Sequence, residues 1–151
     1  MVKELDIPIK TFADYKATKI EKGWSGDTKY LLEKGDEKLL LKIADASHYD
    51  QKLSEFKIFE QLERENIPSN IPIDFGFDDG DKYVWMVLAW IEGVDLREQL
   101  LAFSESEQYD FGIEAGKILQ RIHQLEIPKP IDNWEVRFNK KIDNKLQMYD
   151  E

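Results

Sequence analysis

Leu39-Leu40-Leu41-Lys42-Ile43-Ala44, a short polar turn, and then Ser54-Glu55-Phe56 form the stretch around which the rest of the chain is read. A run apolar on both faces suits a central strand better than a solvated edge. Strand alternation places Lys42 on the side of Leu40 and Ala44, away from Leu39, Leu41 and Ile43. An ammonium buried there without an anion costs several kcal/mol. Glu55, on the helix expected to follow, is the natural partner. The plainer alternative is a lysine that snorkels out of the strand to water.

Outward from this stretch the chain alternates between strand and turn signals. Thr18–Lys22 reads as a strand and Lys29–Lys34 as a second, separated by Gly23-Trp24-Ser25-Gly26-Asp27-Thr28. Gly35-Asp36 is a tight-turn signal, and Glu37–Ala44 is the third strand. Ser47-x-x-Asp50 reads as a capping box for a helix from about Tyr49 to Glu65, with Leu53, Phe56, Phe59 and Leu62 on one stripe. Glu55 falls at the edge of that apolar arc; Glu60 and Glu63 fall on its other side, so the wheel alone does not single out Glu55. Ile73–Phe77 and Lys82–Trp90 follow as strands, the second apolar throughout and therefore expected to be buried on both faces. Met1–Tyr15, with Ile7, Ile9, Phe12 and Tyr15 apolar, reads as a lead-in with room for a short helix.

Beyond Glu92-Gly93 the pattern turns helical. Asp95–Phe103 suggests a short helix, and Ser104-x-x-Glu107 a capping box opening a helix to about Leu125. Its expected buried stripe is Phe111, Ala115, Ile118, Ile122 and Leu125. A last helix from Trp134 carries Phe138, Ile142, Leu146 and Tyr149 on one face. The shift at Glu92-Gly93 divides the expected architecture into residues 1–92 and 93–151.

Composition narrows the function classes. The chain has 151 residues, 42% of them hydrophobic, enough for one core, or one small lobe and part of another. With no cysteine there is no disulfide, thiolate zinc site or cysteine nucleophile. A net charge of −10 argues against a nucleic-acid footprint. No 18-residue apolar run or signal-peptide pattern appears, which makes a soluble, cytoplasmic protein without membrane contact the expectation.

The glycine-containing turn at residues 23–28 offers backbone N–H groups where a phosphate could approach, although most such turns are only turns. It is not a Walker sequence, since Gly-Lys-Ser/Thr is absent. In order, however, a glycine turn, a buried strand lysine, a helix glutamate and a buried strand ending at a glycine-bounded hinge make up the nucleotide half of a kinase.

Taken together, Gly23-Trp-Ser-Gly-Asp27, Leu40-Leu-Lys42-Ile, Ser54-Glu55-Phe56, Ile71-Pro72-Ile, Leu88-Ala-Trp-Ile-Glu-Gly93 and Leu119-Gln-Arg-Ile-His123 resemble the aminoglycoside phosphotransferase family. Its members have the protein-kinase-like fold and include choline-kinase-like and macrolide kinases. The resemblance runs from about Thr18 to the end of the chain and covers the first part of the family's length. It implies an α+β fold: a protein-kinase-like small lobe with a five-stranded antiparallel sheet and one helix, followed by helices of an incomplete large lobe. It implies that Lys42 contacts the ATP α/β-phosphates and pairs with Glu55, and that Ser25 and the backbone around Gly26 cover the phosphates. Leu88 would sit behind the adenine, with the Ala89 carbonyl and Ile91 N–H on its edge. His123 is read as a structural residue at a helix end.

The implied reaction moves the γ-phosphate of ATP or GTP, with Mg²⁺, to a hydroxyl of an aminoglycoside-like antibiotic or another small alcohol. The family supplies its catalytic aspartate and Mg²⁺ ligands from His-Gly-Asp-x-x-x-x-Asn and a later Asp, and no such sequence occurs within the 151 residues. This segment alone is therefore expected to hold no catalytic residue and to be inactive. Two sequences imitate kinase motifs out of context: His48-Tyr49-Asp50, followed five residues on by Glu55 and not Asn, and Asp74-Phe75-Gly76, which precedes the hinge strand. Neither is assigned a catalytic role. The stripe on the last helix has few residues left to cover it, which predicts an exposed apolar patch and self-association. A natural non-catalytic nucleotide-binding module, or a protein-interaction module, is the alternative.

Overall fold

The computed structural model describes residues 9–23, 25–126 and 133–147. Its centre is an antiparallel sheet of five strands, β1 (Lys16–Ile20), β2 (Thr28–Lys34), β3 (Glu37–Asp45), β4 (Pro72–Phe77) and β5 (Tyr83–Ala89), in the order β1-β2-β3-β5-β4. The helix α1 (Tyr49–Arg64) is inserted after β3, as expected, and three further helices follow β5: α2 (Leu96–Gln99), α3 (Glu105–Ile122) and α4 (Trp134–Gln147). The fold is α+β.

Alternation along β3 and β5 produces two distinct faces. On one, Leu39, Leu41 and Ile43 join Tyr30, Leu32, Trp85 and Val87 in a core closed by Ile9 and Phe12. Residues 9–12 of the lead-in thus cover this face of the sheet, held by a 3-10 turn at Lys10–Phe12 and by the edge-to-face contact of Phe12 with Trp85 at 5.3 Å. Lys42 and its cross-strand partner Met86 point to the other face, toward α1. There Tyr49 stacks on Phe77 at 4.7 Å and Phe56 meets Phe75 at 5.4 Å, so α1 lies along β4 and β5. Val84 through Leu88 are all buried, as expected of a strand covered on both sides.

Several local expectations are corrected. β1 begins two residues earlier than Thr18, because its pairing with β2 runs from Lys16↔Glu33 to Ile20↔Lys29. The cap before α1 is not built from Ser47 and Asp50. Asp45 instead accepts from the Ser47 backbone N–H at 2.9 Å and from its hydroxyl at 2.6 Å, closing a 3-10 turn over Ala46–His48. The Ser104–Glu107 capping box does form, with both reciprocal contacts present. The stripe predicted to be buried on α3 is not: no α3 residue is buried, and Phe111 and Ile122 are exposed. Phe111 meets a neighbouring aromatic, Phe103, edge-to-face at 4.9 Å. Phe138, Ile142 and Leu146 of α4 are exposed as predicted; Tyr149 lies outside the described residues, as does Trp24.

α3 is tied to α1 chiefly by polar contacts. The Arg121 guanidinium donates to the carbonyls of Glu65 at 2.7 Å and Asn66 at 2.9 Å, and Gln61 donates to the Glu126 carbonyl at 3.2 Å. The Glu65 carbonyl, at the C-cap, is one that the end of α1 leaves without a helical partner.

Candidate functional site

The site forms where β3, α1 and the β1–β2 turn converge. β3 presents Lys42 on its α1-facing side, and α1 carries Glu55 opposite it. The Lys42 ammonium bonds to Glu55 Oε1, so the two residues first singled out in the sequence are brought together. The Lys42 side chain is 13% exposed, which rules out a lysine that snorkels to water.

Two further members were not anticipated. Lys52, one turn before Glu55, is the most buried residue of α1. Its ammonium bonds to Glu55 Oε2 at 3.0 Å and to both oxygens of Asp27, at 2.6 and 2.7 Å. Asp27, from the β1–β2 turn, also faces the Lys42 ammonium at 3.3 Å, with its side chain only 5% exposed. Lys42, Glu55, Lys52 and Asp27 therefore close a ring in which each charge touches two of opposite sign. Spacing carried one usable signal: Lys52 and Glu55 are three apart on a helix, and such pairs share a face. Asp27 had none, because its place beside the lysines exists only once the β1–β2 hairpin has closed.

The ring sets the charge states of its members. Burial alone would raise the Asp27 carboxyl, but the Lys52 hydrogen bond and the charges of both lysines outweigh it and hold it below the ordinary carboxylate range. Glu55 behaves likewise: burial pushes it up, and the hydrogen bonds from Lys42 and Lys52 bring it down. Burial would lower the Lys52 ammonium, yet its bonds to Asp27 and Glu55 raise it. All three are charged at neutral pH, so Lys52 stays available as a cation.

The remaining sequence candidates sit around the ring. Ser25 and Gly26 are exposed turn residues two positions or fewer from Asp27. Gly23, at φ 133°, opens this turn, and a Cβ there would meet the Lys29 ammonium at 2.0 Å. Leu88 is buried on the same face as Lys42 and Met86, at the far end of β5. The Ala89 carbonyl already accepts from Asn70 Nδ2 at 3.0 Å, which leaves one lone pair, and Ile91 is exposed just beyond the strand. His123 stands at the C-cap of α3.

The imitated motifs have structural uses. His48 is the residue before α1. Asp74-Phe75-Gly76 lies inside β4, where Gly76 pairs with Trp85. A Cβ at Gly76 would come within 2.9 Å of the Trp85 indole, so glycine is required for the ring to cross the neighbouring strand. The indole N–H then donates to the Phe77 carbonyl at 2.8 Å.

A five-stranded sheet with one helix set over a strand lysine is the arrangement of a kinase small lobe. A family model described as the phosphotransferase enzyme family matches residues 16–149, and the chain belongs to that family. Among solved structures it is similar to an aminoglycoside-3'-phosphotransferase of type VIII, with 25% identity, 57% of this chain and 33% of that chain covered, and a TM-score of 0.46. It is also similar to the PknI kinase domain of Mycobacterium tuberculosis, with 17% identity, 75% and 49% covered, and a TM-score of 0.42. The chain thus spans between a third and a half of the length of these structures. A search of the curated proteins finds no match. No helix among the described residues is long and apolar enough to cross a membrane.

Proposed function

We propose that this chain is the nucleotide-binding part of a small-molecule kinase, with residues 1–92 as the small lobe and 93–151 as the helical start of a large lobe. The observation that carries this reading is the Lys42–Glu55 pair, set on the covered face of the sheet beneath a glycine-containing turn. A charged lysine held in place by a helix carboxylate is a preorganised contact for the α/β-phosphates of ATP or GTP. Ser25 and the Gly26 backbone cover the phosphates from the turn. Leu88 lies behind the base, and the Ala89 carbonyl and Ile91 N–H meet its edge. The residues present fit a polyphosphate: three lysines, Lys29, Lys42 and Lys52, share the face it would occupy. Mg²⁺, when bound, neutralises charge between the phosphates; its ligands in this reading come from a His-Gly-Asp-type motif, which these 151 residues do not contain.

In this reading the whole enzyme transfers the γ-phosphate to a hydroxyl of a small molecule. Membership of the phosphotransferase family makes an aminoglycoside-like antibiotic one candidate substrate, with antibiotic resistance as the consequence; other small alcohols fit the same chemistry. The 151-residue chain by itself binds nucleotide and does not turn over, and its place is the cytoplasm.

A second reading rests on the exposed apolar residues of α3 and α4, among them Tyr109, Leu119, Trp134 and Phe138. They support self-association through the C-terminal helices, or a role as a non-catalytic nucleotide-binding or interaction module.

Calorimetry with ATP and with GTP, in the presence of Mg²⁺, tests the first reading. Binding by the chain that is lost in Lys42→Met is the expected result. Binding of nucleotide by neither protein, together with a concentration-dependent dimer in light scattering, favours the second.

A further inference from the structure

Of the four charged residues in the ring, three are fixed by regular structure: Lys42 by β3, Lys52 and Glu55 by α1. Asp27 alone comes from the turn, next to Ser25 and Gly26. Its carboxylate lies between two ammonium groups and touches both, through 2.6, 2.7 and 3.3 Å contacts. A carboxylate with two oxygens between two lysines presents the same chemistry as two oxygens of a phosphate. The surroundings also favour an anion beyond those present. Lys29, opposite Lys42 in the β2–β3 register, sits half-buried on the same face and has only the Lys22 carbonyl, at 3.3 Å, as a partner among the described residues. Counting it, this side of the sheet carries three lysines and two carboxylates, a net charge of +1; with Asp27 withdrawn the net is +2.

We propose that Asp27 is a built-in stand-in for a nucleotide phosphate: its carboxylate holds the position between Lys42 and Lys52 that a phosphate group takes on binding, and the β1–β2 turn must release it first. Lys52 then becomes a second phosphate-binding cation beside Lys42. This rests on the nucleotide-binding reading and adds its regulation. The turn that covers the phosphates also competes with them. The ligand is a polyphosphate, since a neutral nucleoside offers nothing that exchanges with a carboxylate. Folding with Asp27 in place keeps two buried lysines paired until nucleotide arrives, at the expense of affinity. The two glycines of the turn suit a segment that changes its path: Gly23 has a φ open only to glycine without strain, and Gly26 has open space on its Cβ side.

The test compares the full chain with Asp27→Asn and Lys52→Gln by calorimetry against ATP, tripolyphosphate and adenosine. Asp27→Asn, nearly the same shape but uncharged, should bind ATP and tripolyphosphate more tightly by about tenfold or more, within the usual range of coupling between competing contacts. Its adenosine affinity should not move. Lys52→Gln should weaken ATP and leave adenosine unchanged. If the wild type binds ATP in a Lys42-dependent way and Asp27→Asn binds it equally or more weakly, the stand-in role is overturned and the nucleotide-binding reading stands. A parallel gain for adenosine overturns it too, since it would reflect general loosening. If neither the wild type nor Asp27→Asn binds ATP, both fall. Should Asp27→Asn fail to fold by circular dichroism, the amide resonances of Gly26 and Asp27 in the wild type decide. A shift on adding tripolyphosphate but not adenosine supports the proposal, and no shift overturns it.

Discussion

Glu55 divides its two oxygens between Lys42 on the sheet and Lys52 on its own helix, so one carboxylate couples β3 to α1. The pair that a nucleotide reading needs is therefore also a joint of the fold. A double-mutant cycle on Lys42→Met and Glu55→Gln should return a coupling of about 0.5–3 kcal/mol in urea unfolding. Each single change should cost about 1–3 kcal/mol, because it leaves charges in a half-covered site with fewer partners. A coupling indistinguishable from zero would show the contact to be an ordinary surface pair.

Acid should loosen this joint before the rest of the sheet. The Asp27 and Glu55 carboxyls sit below their ordinary values of 3.8 and 4.5 in the folded chain. Their stabilisation is complete above those values and is lost as the pH falls through the lowered folded ones. Lys52 lies above its ordinary 10.5, so its share persists up to that value and is lost as the pH rises through the raised one. Unfolding midpoints measured across the acid range should fall more steeply for the wild type than for Asp27→Asn. Parallel curves would refute the assignment.

Gly76→Ala should destabilise the sheet by about 1–3 kcal/mol, the usual effect of overpacking, because the added methyl meets the Trp85 ring within β4–β5. Asp74→Asn, on an exposed position of the same strand, should change stability by no more than about 0.5 kcal/mol. A thermal melt of each separates an aromatic packing triplet from a metal-binding one, in which the aspartate would matter more than the glycine.

Arg121→Ala removes both donations to the end of α1 and should cost about 1 kcal/mol. Hydrogen exchange should show the change at the last turn of α1 and in α3, with the β3 amides unaffected.

How much of this was readable before folding depends on whether the deciding contact is local. β5 declared itself by a continuous apolar run, and Lys42 by its charge inside one. Lys52, the most buried residue of α1, carries no such mark, because an apolar stripe singles out apolar side chains and a lysine reads as solvated until its partners are in place. Asp27 could not be found this way, since its neighbours Lys42 and Lys52 are distant in sequence and meet it only through hairpin closure. The α3 stripe failed for the opposite reason: amphipathic spacing states which face prefers burial and says nothing about whether a neighbour is there to cover it.

The two attachments of α1 give that helix a particular mechanical character. Its opening turn is gripped through side-chain charge, and the two residues that follow its last turn are held through their carbonyls by Arg121, while its aromatic residues are only half-buried. It is a bridge resting on two piers. If a ligand takes Asp27's place at the first pier, Glu55 still ties the helix to Lys42 on β3 and Arg121 still holds its far side, so the exchange of one anion for another leaves both supports of the span standing.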